Sequence, residues 1–215
     1  MAWMEQLQAA NGREAACMAL VAYVLGCFTT GYYLVRALKG QDIRELDSGS
    51  VGARNVGRLL GKKGFFLTVL GDFGKGVLAV WAARHFTGSD LLAGIAMLAV
   101  VAGHIWPAQL RFHGGKGVAT SLGALLVLDH QLTIVYAALF AAGFALTRRT
   151  VLPGLIAYVG LPLVGYWIRP DGLGTAIVCL LGLMILFAHR RNIVEEIPAL
   201  AARRRMAAKP ERPKL

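Results

Sequence analysis

Residues 15–35 contain no Asp, Glu, Lys or Arg, and they are closed off by Glu14 and Arg36. About 20 apolar residues cross the hydrocarbon core of a bilayer as a helix, so this stretch by itself predicts a membrane span. Further apolar runs follow at 64–83, 91–110, 130–147, 150–168 and 172–188. Of the 215 residues, 56% are hydrophobic and 16% charged, whereas soluble domains carry about 25% charged residues. The chain therefore reads as all-α, a polytopic membrane helix bundle, and the apolar content excludes a disordered or collagen-like polymer.

The stretch 117–128 is the ambiguous one. At ~1.5 Å per residue it covers about 18 Å, short for a full crossing. Cytoplasmic loops are enriched in Lys and Arg, and that bias arbitrates. If 117–128 crosses, there are seven transmembrane helices with the N-terminus outside and the C-terminus cytoplasmic. The loops then place 19 basic residues inside and three outside. If it does not cross, the counts become 10 and 12. Seven spans are expected. The chain divides into an N-terminal extension at 1–14, a seven-helix membrane domain at 15–195 and a basic, flexible cytoplasmic tail at 196–215. The tail's Arg203, Arg204 and Arg205 suit anionic lipid. Glu5, Arg13 and Glu14 precede the first apolar run and no polar cleavage region follows it, so the run is expected to stay as a span.

The net charge is +11. Because the basic residues fall between apolar runs, the expected partners are the lipid bilayer and anionic substrates, with no nucleic acid. The oligomeric state stays open, a monomer included. Cys17, Cys27 and Cys179 lie inside apolar stretches without paired spacings, so they read as small core residues and not as disulfide or metal ligands. No metal site is expected. Glycines spread through the spans favour close helix packing in lipid.

Three polar clusters interrupt this pattern, all on the expected cytoplasmic face. The first, residues 47–58, combines Ser48, Gly49, Ser50, Gly52, Arg54, Asn55 and Arg58. Glycines let backbone N–H groups approach an anion, and the two arginines can fork onto phosphate oxygens. A solvated basic loop that only holds topology is the plain alternative. The second contains His104 and, downstream, Gly114, Gly115, Lys116 and Gly117. Glycines around one lysine, leading into a helix, make an anion cradle. It is not a P-loop, since Lys116 is followed by Gly117 where Ser or Thr would stand. The third is His189-Arg190-Arg191-Asn192, in which His189 and Asn192 share a helical face at i, i+3.

Asp72 and Lys75, also at i, i+3, sit within a span and read best as a structural ion pair. His104 has a comparable alternative as a satisfied structural histidine. His85 and Asp90 have the spacing used by the thioester-dependent glycerolipid acyltransferases. They lie on the outer side, no Phe-Pro-Glu-Gly stretch follows, and coincidence is the better reading.

Together the clusters resemble the bacterial acyl-phosphate:glycerol-3-phosphate acyltransferase family. The string GHIWPAQLRFHGGKGVAT at 103–120 carries the resemblance most specifically. SGSVGARNVGR at 48–58 and AHRRNI at 188–193 are similar to the family's first and third motifs, and GDFGKG at 71–76 adds to the match. Ser50 and Arg54 depart from the family's usual Asn and Thr. The resemblance implies a seven-helix bundle in the bacterial inner (cytoplasmic) membrane with its active site at the cytoplasmic face. It implies transfer of a fatty acyl group from acyl phosphate to the 1-hydroxyl of glycerol 3-phosphate, giving lysophosphatidic acid and phosphate, the first acylation of phospholipid biosynthesis. No cofactor is implied, and neither coenzyme A nor acyl carrier protein serves as direct donor.

Under that reading Ser48, Arg58, Lys116, His189 and Asn192 are the expected catalytic residues. Gly49, Ser50, Gly52, Arg54, Asn55, His104, Gly114, Gly115 and Gly117 are expected to bind substrate or phosphate. Lys116 and the Gly114–Gly117 amides would hold the acyl phosphate; Arg58, Asn55, His189 and Asn192 would hold glycerol 3-phosphate. An acyl phosphate is already activated, which fits a chain with no nucleophile–base–carboxylate triad. A small anion transporter is the competing class, but it calls for inverted repeats with charged or broken helices in both halves. Only Asp72 and Lys75 qualify. A scaffold without turnover would leave His189 and Asn192 unexplained.

Overall fold

The computed structural model describes residues 11–194, so the expected basic tail and residues 1–10 of the N-terminal extension lie outside the described residues. In order, the helices are α1 (Gly12–Cys27), α2 (Thr30–Lys39), α3 (Ala53–Thr87), α4 (Asp90–Ile105), α5 (Val118–Leu128), α6 (His130–Thr147), α7 (Val151–Ile168) and α8 (Gly172–Ala188). Single 3-10 turns occur at Ile43–Glu45 and Ala108–Leu110. The helix starts are set by caps: Asp129 accepts from the amides of Gln131 and Leu132, and Asp171 from those of Leu173 and Gly174. α2 and α3 stop at Gly40 and Gly88, each in the left-handed conformation that closes a helix C-terminus.

Two expected spans differ in detail. The run 15–35 is not one helix: the chain leaves helical geometry between Cys27 and Thr30. No proline or charge marks the break. It is satisfied from α3, where Lys75 Nζ donates to the carbonyls of Gly26 (3.0 Å) and Phe28 (2.7 Å). The carboxylate of Asp72 accepts the amide of Thr30 at 3.3 Å. A cation on the end of one half-helix and an anion at the start of the next complement both dipoles. The second expected span, 64–83, is the centre of a longer helix that kinks at Gly61, whose φ of 69° and ψ of −167° suit glycine alone.

α4 is the hub, packed against α1, α3, α5 and α8, with Met97, Val100 and Val101 fully buried. It crosses α1 at two glycines: Gly26 lies on the backbone of Val100, and Gly103 on the carbonyl of Tyr23. α3 and α5 cross in the same way, Gly76 against Thr120 and Gly123 against Phe73. Such small-residue crossings bring backbones together where no hydrophobic effect assists.

Polarity is inverted relative to a soluble domain. Asp72, Lys75 and His104 are buried, whereas Phe66, Leu70, Leu163 and Trp167 are exposed. Among the described residues, five segments are long and apolar enough to cross a membrane: Gly12–Lys39, Ala53–Thr87, Asp90–Leu110, His130–Thr147 and Val151–Ile168. α5 and α8 are shorter apolar helices. The cysteine expectation holds for one residue of three: Cys27 is buried, while Cys17 and Cys179 are exposed. In an inverted bundle an apolar neighbourhood does not imply a core position.

Candidate active site

The segment 46–58 is built around Asn55. Its side-chain amide donates to the carbonyls of Ser50 (2.9 Å) and Leu46 (3.1 Å), with Ile43 at 3.5 Å. Asn55 is 2% exposed, so its donors are spent on folding the loop. Ser50 likewise turns inward, its hydroxyl accepting the Gly52 amide at 3.3 Å. Gly52 caps α3, and Gly49 adopts a left-handed φ of 67°. Ser48 in the loop, and Arg54 and Arg58 in the first turns of α3, are exposed. Arg58 Nη1 pairs with Asp47 at 2.9 Å.

Residues 106–117 form the second piece. Tyr23 OH donates to the Trp106 carbonyl at 2.8 Å, and Gln109 Nε2 to the Cys27 carbonyl at 2.5 Å. Arg44 Nη1 donates to the Leu110 carbonyl at 2.7 Å, which ties the first polar segment to the second. Asp42 holds Arg44 in place at 2.6 Å, and that hydrogen-bonded guanidinium lowers the Asp42 carboxyl below its usual value. Arg111 and Phe112 both have positive φ, 53° and 61°, forming the turn that returns the chain to α4.

There the Gly114 amide donates to the Ile105 carbonyl (3.1 Å) and the Gly115 amide to the His104 carbonyl (3.0 Å). These two N–H groups are engaged inside the protein. Lys116 and the first-turn amides of α5, which a helix leaves without intrahelical partners, follow this turn. Gly117 caps that helix at φ +80°. Ile105 and Ile185 side chains crowd Gly117, and Gly115 lies on the His104 ring.

The third piece follows α8. His189 is 6% exposed. Its Nδ1 lies 2.8 Å from the Ile185 carbonyl, a partner that can only accept, so Nδ1 carries the proton and Nε2 the lone pair. Burial lowers the His189 pKa below its ordinary value; the Lys116 charge lowers it further, and the Ile185 hydrogen bond opposes both. Lys116 Nζ donates to Asn192 Oδ1.

The structure thus brings Lys116, His189 and Asn192 together. Ser48 lies in the loop before α3 and Arg58 in the first turns of α3, while Arg44, through the Leu110 carbonyl, ties the segment that precedes them to residues 106–117. His104 is buried, 2.8 Å from Lys75 Nζ. The bracing residues Tyr23, Asp42, Arg44 and Gln109 escaped sequence reasoning; only Asp42 and Arg44, two apart and opposite in charge, offered a signal. The decoy pair is engaged elsewhere: His85 stacks on Trp81 at 5.1 Å, and Asp90 takes Arg84 at 2.5 Å.

Residues 16–198 match the family described as Glycerol-3-phosphate acyltransferase. The chain is 45% identical over 188 residues to Glycerol-3-phosphate acyltransferase 1 of Desulfitobacterium hafniense, covering 87% of this chain and 93% of that one. It is 40% identical over 181 residues to the Glycerol-3-phosphate acyltransferase of Clostridioides difficile, covering 82% and 88%. Its fold is similar to crystal structures of PlsY (YgiH), an integral membrane glycerol 3-phosphate acyltransferase. The glycerol 3-phosphate form gives a TM-score of 0.78 at 32% identity, over 86% of this chain and 92% of the other. The lysophosphatidic acid form gives 0.76 at 30%, with the same coverage. The chain belongs to the glycerol-3-phosphate acyltransferase family and is a membrane acyltransferase of phospholipid biosynthesis that acylates glycerol 3-phosphate.

Proposed function

We propose that the acyl donor is an acyl phosphate and that Lys116, His189 and Asn192, with Ser48 and Arg58, form the site at which it meets glycerol 3-phosphate. The observation that carries this reading is the Lys116–Asn192 hydrogen bond beside a buried, neutral His189. Lys116 and the first-turn amides of α5 hold the donor phosphate. Arg58 holds glycerol 3-phosphate, with Asn192 and His189 facing it, and Ser48 positions a phosphate or the attacking hydroxyl. Two anions repel, so a site that gathers cations and helix-end amides brings them to reacting distance, a contribution that reaches about 7–11 kcal/mol in well-aligned systems.

The 1-hydroxyl oxygen of glycerol 3-phosphate forms a bond to the acyl carbon, and the anhydride C–O bond breaks. Phosphate departs with the electron pair. The hydroxyl proton passes either to His189 Nε2 or to the departing phosphate, and the pH profile separates the two routes. Fixed donors in a water-poor site stabilise the oxygen charge that develops on the carbonyl.

Seven crossings, N-terminus outside and C-terminus cytoplasmic, in the bacterial inner membrane, fit this site. Lys116 precedes α5 and Asn192 follows α8, so four crossings return the chain to the same face, whereas three would not. The excess of basic residues on that face supports a cytoplasmic orientation. The test incubates purified protein with palmitoyl phosphate and labelled glycerol 3-phosphate, then repeats with palmitoyl-CoA. Lysophosphatidic acid from the first donor alone is the expected result; product from the thioester alone overturns the donor assignment.

A further inference from the structure

Two polar segments of the site each fold on their own bonds. In the first, Asn55 gathers the Leu46 and Ser50 carbonyls; in the second, the Gly114 and Gly115 amides return to Ile105 and His104. Among the described residues, the hydrogen bond that crosses between 42–58 and 106–117 is that of Arg44 Nη1 to the Leu110 carbonyl, at 2.7 Å. Arg44 is fixed for this contact. Its Nε reaches Asp42 Oδ1 at 3.0 Å and its Nη2 reaches Oδ2 at 2.6 Å, a fork that sets the guanidinium plane and leaves Nη1 for Leu110. The guanidinium carbon sits over the Tyr32 ring, 5.4 Å from its centroid. Tyr32 meets Tyr33 edge to face at 5.3 Å, and the Tyr33 hydroxyl accepts from Gln109 Nε2 at 3.4 Å, beside Leu110. The contacts therefore close a ring from Arg44 through α2 to 109–110 and back. Both segments ride on it. The Arg44 carbonyl lies against Gly49, where a Cβ would come to 3.0 Å, so the turn carrying Ser48 rests on Arg44. The Leu110 carbonyl also accepts the His113 amide at 3.2 Å, in the turn that leads to Lys116.

Resting on the reading that Ser48, Arg58 and Lys116 serve one site, we propose that Arg44 is a positioning residue that fixes the separation of the Ser48–Arg58 segment from the Lys116 segment, and so the alignment of the two bound reactants. It touches neither reactant. Each segment keeps its own internal bonds without Arg44, so the crossing bond acts on kcat and not on either KM. Alignment is steep, a misplacement of about 1 Å costing about 10²-fold in rate. Lysine is no substitute, because a single ammonium on a flexible stem cannot hold a carboxylate fork and a carbonyl in one fixed plane.

The test compares the steady-state kinetics of wild type, Arg44→Ala, Arg44→Lys and Asp42→Asn, using whichever of palmitoyl phosphate and palmitoyl-CoA supports wild-type turnover. Spin labels on cysteines introduced at Arg54 and His113, in a background freed of the native cysteines, report the separation of the segments with and without Arg44→Ala. The expected result for Arg44→Ala is a kcat lowered tenfold or more, each KM within threefold of wild type, thermal unfolding close to wild type, and a broadened label distance. Arg44→Lys and Asp42→Asn lower kcat in the same way but by less. A wild-type kcat in Arg44→Ala overturns the proposal, as does a loss carried by either KM or a label distance that does not change. Should Arg44→Ala not fold, Asp42→Asn decides on the same split of kcat from KM. Arg58→Ala and Lys116→Ala are assayed alongside: wild-type turnover in both shows that the reading of the site has failed, whatever Arg44 does.

Discussion

The ammonium of Lys116 donates to the side-chain oxygen of Asn192, joining the start of α5 to the chain beyond α8 across 76 residues of sequence. The amide accepts through its oxygen alone, so its N–H groups take no part in this bond. Replacing Lys116 by Ala removes the cation proposed to hold the donor phosphate. Turnover is expected to fall by about 10²-fold or more, the scale seen when one fixed charge-stabilising donor is lost. Asn192→Ala should cost less, mainly through KM. Steady-state assays of both variants check this.

The titration of His189 bears on pH dependence in a direction the geometry fixes. Burial beside Lys116 lowers its pKa, so the folded protein favours the neutral ring. Protons bind more readily to the unfolded chain, hence stability is full above the ordinary histidine pKa of about 6.5 and is lost as pH falls through the lower folded value. If Nε2 accepts the hydroxyl proton, kcat falls over that same acid window, and His189→Gln flattens the limb. A limb unchanged in His189→Gln assigns the proton to the departing phosphate.

Asn55 is expected to behave as a structural residue. Asn55→Ala leaves the carbonyls of Ser50 and Leu46 without their donor, and each unsatisfied buried group costs about 1–3 kcal/mol. Asn55→Asp sets a carboxylate against those carbonyls and should be worse than Ala. The check is a melting curve in detergent alongside activity, with the two falling together.

Much of this molecule is legible in its sequence, but unevenly. The apolar runs, the short α5 and the intramembrane pair Asp72–Lys75 follow from hydropathy and charge spacing alone. The α1–α2 break does not, because Phe28 and Thr29 carry no breaker and the groups that satisfy it lie on α3. Motif residues are visible as a set while their tasks are not. Asn55, Gly114 and Gly115 have the chemistry of phosphate ligands, yet their donors are spent on Ser50, Ile105 and His104. Only the folded chain distinguishes a donor aimed at a ligand from one already bonded.

The glycine crossings predict a stability effect remote from the chemistry. A methyl at Gly76 would overlap the Thr120 carbonyl, and one at Gly123 that of Phe73. Gly76→Ala or Gly123→Ala forces α3 and α5 apart at about 1–3 kcal/mol each, as overpacking does elsewhere. Thermal unfolding of the purified variants measures it. The same change at Gly74, which faces open space, should be near neutral.

The central claim is that the three polar segments share the cytoplasmic face. In a background freed of Cys17, Cys27 and Cys179, single cysteines at Arg54, His113 and Asn192 can be labelled with a membrane-impermeant maleimide in intact spheroplasts and again after permeabilisation. The account predicts that all three stay protected until the membrane is opened and then label together. Labelling of any one of them in intact spheroplasts would contradict it.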